Sequence, residues 1–135
     1  MTTTWDALRA HVCTKFHIAV REETRLGLLW RLEGLDAPQR QWVELLDAFG
    51  KPHVVISCNV GTASSMTCYD ALIHNAQLAI GALCFHEGHL VLRMVLPLEG
   101  VDTHVIESSI RLLAREAVRL RTKETPRAAP APYYE

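Results

Sequence analysis

The side chains best able to do chemistry in this chain are its seven histidines and four cysteines. Neutral imidazole ligates zinc and titrates near neutral pH, and a thiolate attacks electrophiles, so the spacing of these residues is the first question. His86-Glu87-Gly88-His89 superficially resembles a zinc-protease motif. That motif sets its histidines at i and i+4 on one helical face, whereas these stand at i and i+3 in a stretch that reads as a turn. His11, His17, His53, His74 and His104 are scattered without ligand spacing, so neither a metal nor a cofactor is expected. Cys13, Cys58, Cys68 and Cys84 contain no CxxC and are too few for a disulfide framework, so they read as buried, reduced thiols. Gly61-Thr62-Ala63-Ser64-Ser65 lacks the lysine of a phosphate loop, and no GxSxG or GxGxxG occurs. No catalytic residue emerges, and the chain does not read as an enzyme.

Arg111, Arg115 and Arg119 form an i, i+4, i+8 ridge that Arg121 and Lys123 continue. Cations late in a helix oppose its negative end and solvate an exposed face, so nucleic acid is not an expected partner. Fourteen basic against fifteen acidic side chains give a net charge of −1, too little for a global field that would draw the molecule onto a polyanion.

The elements that must position these residues come from a 135-residue chain with 49% hydrophobic and 21% charged residues, enough to build one soluble domain. Nothing approaches the ~18 apolar residues of a membrane span, and the start lacks a secretory pattern, so the expected address is cytoplasmic. Trp5, Leu8, Val12 and Phe16 recur at helical spacing behind the capping candidates Thr3 and Thr4. From Leu26 to Glu33 the period changes to two. Gly34 to Pro38 breaks the pattern, and residues 41–49 and 53–60 then read as a hairpin around Gly50-Lys51-Pro52. A short helix follows, in which Met66, Tyr69, Leu72, Ile73 and Ala76 are spaced at three or four. Residues 81–85 and 90–96 form a second hairpin across His86 to His89, because Gly88 tolerates the positive φ of a tight turn. Asp102 or Thr103 caps a last helix whose Ile106, Ile110, Leu113, Ala117 and Leu120 keep a three-to-four rhythm. These elements predict one α+β domain over residues 1–123, with a flexible Pro/Ala-rich tail over 124–135 that ends in Tyr133-Tyr134-Glu135.

Alternation places Leu28, Trp30, Leu32, Ile56, Leu92, Met94 and Leu96 against the helices. It then sends Leu29, Val55, Val91 and Val95 to the opposite face, and either phase of the strand over 41–49 adds large apolar groups such as Trp42 and Leu46. A sheet covered on one side should be polar there, so these six are the candidate partner-binding residues.

Gln41-Trp-Val-Glu-Leu45, His53 to Gly61, Asn75 to Leu83, and Leu90 to Leu98 leading into the last helix follow one another in an order that resembles the YbjN-domain family and the class I type III secretion chaperones. The resemblance covers most of residues 5–121. It implies an α-β-β-β-α-β-β-α domain with helices packed mainly on one face of a twisted, antiparallel, five-stranded sheet. It also implies a bacterial homodimer, no catalytic residue, and a chaperone-like adaptor or regulator that holds a segment of a protein client. The alternative is a small-molecule sensor or enzyme with Cys58, Cys84 or His74 on the wall of a cavity between sheet and helices.

Overall fold

The computed structural model describes residues 3–31, 38–62 and 64–124. The chain opens with α1 (Trp5–Lys15), where extended Thr4 accepts the Ala7 N–H on its hydroxyl and Asp6 stands in the first turn. Both groups stabilise the positive helix end. Leu8 and Val12 turn inward and are fully buried. Just ahead, Thr3 donates its N–H to the Leu98 carbonyl at 3.1 Å and its hydroxyl to the Val101 carbonyl at 2.6 Å. The start of the chain is thereby fastened to the segment before the last helix.

The further elements are β1 (Ile18–Arg21), β2 (Arg25–Trp30), β3 (Gln39–Ala48), β4 (Lys51–Thr62), α2 (Cys68–Asn75), β5 (Ala82–His86), β6 (His89–Pro97) and α3 (Thr103–Glu124). All strand pairs are antiparallel, in the order β1-β2-β3-β4-β6-β5. The expected α+β class holds, with six strands where five were expected. The added strand is β1, whose four residues Ile-Ala-Val-Arg are too short to show an alternation. Its strand character comes from the ladder with β2. Lys51 and Pro52, read as part of a break, belong to β4, because Phe49 and Gly50 make the whole turn with φ of 56° and 72°. Two positive φ values in a two-residue loop match the twist of the strands they join.

One sheet face carries Leu26, Leu28, Val43, Val54, Ile56, Cys58 and Leu92, all buried in one core cluster with Ile106, Ile110, Leu113, Ala117 and Leu120 of α3. Trp30, Met94 and Leu96 pack against that cluster as expected. Asp102 starts α3 by accepting the His104 N–H on its carboxylate at 2.7 Å. Two glutamines of β3 also face inward. Buried Gln41 donates to the Ile110 carbonyl at 2.9 Å and accepts the Trp30 indole N–H at 2.7 Å. Buried Gln39 donates to the carbonyls of Arg40 and Asn59 and accepts from Arg121 at 2.6 Å. With these bonds made, the polar pair ties β3 to α3 without a desolvation penalty left unpaid.

The three-to-four spacing read in α2 does not mark its buried side. Met66, Ala71 and His74 are buried, whereas Tyr69 and Leu72 are 72% and 68% exposed. A helix of eight residues has too little apolar area to choose its own rotation, and Asn75 fixes it from outside the apolar pattern. Its Oδ1 accepts the Leu83 N–H at 2.6 Å and its Nδ2 donates to the Leu83 carbonyl at 3.2 Å. Leu32, the break at 34–37 and the tail from 125 onward lie outside the described residues, and α3 runs through Glu124, one residue into the stretch read as tail.

Candidate protein-binding face

Strand register decides which side chains share a face. Gly27 opposes Trp42, Trp42 opposes Ser57, Ser57 opposes Arg93, and Arg93 opposes Ala82. A neighbouring row runs Arg25, Glu44, Val55 and Val95. Opposed residues of a ladder point the same way and successive residues point oppositely. Leu29, Trp42, Leu46, Val55, Val91 and Val95 therefore occupy one face, and none of the six belongs to the core cluster under α3.

That face has two unlike halves. On the β1 to β3 side, Trp42 lies flat over Gly27, where an added Cβ would stand 3.0 Å from the ring's Cζ3 and 3.0 Å from the Val20 Cβ. The Arg25 guanidinium covers the indole at 4.0 Å from its centroid. Arg25 is itself 3.2 Å from Glu22 and 3.7 Å from Glu44. This half is closed by its own side chains, with glycine supplying the room for tryptophan.

On the β3 to β5 side none of the described residues folds over, and a groove of about 490 Å³ opens. Val55, Ser57, Val91 and Arg93 form its floor, Glu44, Leu45 and Leu46 bound it from β3, and Cys84, Phe85 and His86 bound it from β5. Leu46, Val55 and Val91 of the six candidates line it, whereas Leu29, Trp42 and Val95 share the face outside it. The face is mixed, because Glu44, Ser57 and Arg93 alternate in the same phase as their apolar neighbours. The period-2 pattern already carried that signal, since Arg93 stands between Val91 and Val95 and Ser57 follows Val55 by two.

The outer edge of β5 is partly closed to strand addition. The Leu83 N–H and carbonyl, which point away from β6, are already paired with the Asn75 amide. An unpaired edge invites another strand, and a side-chain amide in that place removes the template.

The groups considered for reactivity do not assemble. Cys58 lies on the helix side, fully buried, and burial pushes its thiol up to about 12, only partly opposed by the charge of Arg121. Cys84 lines the groove on the opposite face and His74 is buried on α2, so the three share no cavity wall. All four cysteines are free, and among the described residues no group of three or more His, Cys, Asp or Glu could hold a metal ion. The arginine ridge is largely engaged within the molecule. Arg111 pairs with Glu107 at 3.2 Å and covers Phe16, Arg119 pairs with Glu116, and Arg121 binds Gln39. Among the described residues no helix is long and apolar enough to cross a membrane.

A layered α+β domain with helices on one face and a groove of apolar and charged side chains on the other offers contact chemistry to a macromolecular segment. The profile of the Tir chaperone protein (CesT) family matches residues 34–121, and the chain belongs to that family. The match spans β3 through most of α3 and so includes the whole groove. No curated protein matches the chain. The resemblance to type III secretion chaperones carried by the order of its apolar strings is thus shown by the family match.

Proposed function

We propose that this chain is a non-enzymatic, chaperone-like adaptor that holds a segment of a client protein in the groove over β3, β4, β6 and β5, and that it works in the cytoplasm as a homodimer. The observation that carries this reading is the groove itself, a concavity with Leu46, Val55 and Val91 in its lining on the sheet face opposite α3. Val55, only 6% exposed, is already a dry floor, so the apolar area a client would newly cover comes from Leu46, Val91 and Phe85 around it. Because Asn75 occupies the β5 edge, the client contacts the face rather than extending the sheet at Leu83. Tyr69 and Leu72 of α2, exposed away from the groove lining, supply an apolar surface for the second copy.

The test is affinity purification from the native host with the wild-type chain and with Val91→Glu, followed by mass spectrometry. A protein retained by the wild type and lost from the folded variant supports the reading. Identical recoveries from both chains refute it.

A further inference from the structure

We infer that Arg93 selects the client segment by its charge: the occupant of the groove carries a carboxylate set between apolar side chains, and that carboxylate pairs with the Arg93 guanidinium. This rests on the reading of the groove as a client site. Arg93 rises from the groove floor between two small neighbours on its own row, Ser57 and Ala82, with Val91 and Val95 before and after it on β6. Short neighbours across the strands and valines along the strand make a cationic socket with apolar walls.

Glu44 lies 3.7 Å from Arg25, which also meets Glu22 at 3.2 Å, so one cation holds two carboxylates at the β3 side, and His86 at the β5 side lies 3.8 Å from Glu87. Among the described residues Arg93 has no carboxylate partner and no hydrogen-bond acceptor, and it is exposed. Arg93 is therefore the arginine of the groove lining that no carboxylate of the described residues pairs, across β4 from a carboxylate that Arg25 holds. Any segment that seats its apolar side chains on Val55 and Val91 also takes water from the guanidinium beside them. Covering an arginine with a purely apolar segment leaves a buried charge unpaired, which is costly. A carboxylate instead forms two parallel N–H···O bonds to the planar guanidinium, in a geometry lysine does not match. A cationic segment meets repulsion as well as desolvation. Selection thus works through rejection of the wrong segment as much as through attraction of the right one. The groove crosses three inter-strand steps of about 4.8 Å each, so roughly 14 Å of client is read.

Three fluorescein-labelled ten-residue peptides test this, identical with leucine or valine at alternate positions and differing only in a central Glu, Gln or Lys. With the wild-type chain, anisotropy should show the Glu peptide binding about tenfold more tightly than the Gln peptide and the Lys peptide weakest. Arg93→Met should level the Glu and Gln affinities, and Arg93→Glu should reverse the order so that the Lys peptide binds best. If the wild type binds all three equally and Val91→Glu abolishes that binding, the face is a client site but the role of Arg93 is wrong. If no peptide binds, both readings fall. If peptides bind only after dilution dissociates a dimer that Val91→Glu also breaks, the occupant is a second copy and the proposal is overturned.

Discussion

Phe49 shows at the scale of one residue how local rules can be broken in this molecule. It stands at the tip of the β3–β4 turn with φ of 56° and a fully solvated ring, so no contact offsets a backbone conformation that favours Asn or Gly. Phe49→Asn should raise stability by about 1 kcal/mol, seen as a later urea midpoint with an unchanged slope. An earlier midpoint would mean that the ring is held by something outside the described contacts. Glu107 is the contrary case, a side chain fully used. It accepts from His11 of α1 at 2.6 Å and from Arg111 at 3.2 Å. The hydrogen bond from His11, with Arg111 adding to it, holds its carboxyl below the usual carboxylate value. A carboxylate whose pKa falls on folding stabilises the native state above its unfolded pKa, and this stabilisation is lost as pH falls through the lowered value. The denaturation midpoints of wild type and Glu107→Gln should therefore differ above the ordinary carboxylate range and converge in acid, below it. Parallel curves down to low pH would refute the assignment.

At the scale of elements, α2 buries only Ala71 and His74 and is tied to β5 by the side chain that follows them. Asn75 makes a peptide-like pair with Leu83, orienting α2 and closing the β5 edge with the same two bonds. Asn75→Ala should cost roughly 1–2 kcal/mol and free an edge carbonyl and N–H. The cost is read from urea denaturation, and the freed edge from concentration-dependent light scattering at constant secondary structure. A variant as stable and as soluble as the wild type would show that α2 has another anchor. Gly81, with φ of 77°, shows how closely α3 approaches the start of β5. A Cβ there would stand 2.8 Å from Leu113 Cδ1.

At the scale of the whole molecule, the two halves of the open face should respond differently to the same charge. Trp42 is packed over Gly27 and under Arg25, so Trp42→Glu removes internal cover and should lower stability by about 2 kcal/mol or more. Val91 lines an open groove, so Val91→Glu should leave thermal stability nearly unchanged while weakening client capture. Equal loss of stability in both would make the groove part of the core. The legible portion of the site follows the same division. Leu29, Val55, Val91 and Val95 could be assigned to one face because alternation needs no knowledge of the neighbours, whereas the phase of Trp42 and Leu46 was settled by the register of β3. Arg93, Ser57 and Glu44 were equally in phase. Their meeting in one groove required the order β3-β4-β6-β5, which no single strand encodes.

Local physics in the sequence suffices for the helix at either end, the capping by Thr4 and Asp102, the two tight hairpins and the inward rows of apolar residues. Each depends on neighbours within a turn or on a short period, so the chain specifies them before it closes on itself. Tertiary structure decides what depends on residues far apart in the chain. It creates β1 through its ladder, buries Gln39 and Gln41 under α3, and turns α2 on Asn75. It also lets Trp42 close one half of a face that stays open over Val91 and Arg93. The reason is that burial and hydrogen-bond satisfaction belong to pairs of surfaces, and a surface acquires its pair only when the sheet is assembled.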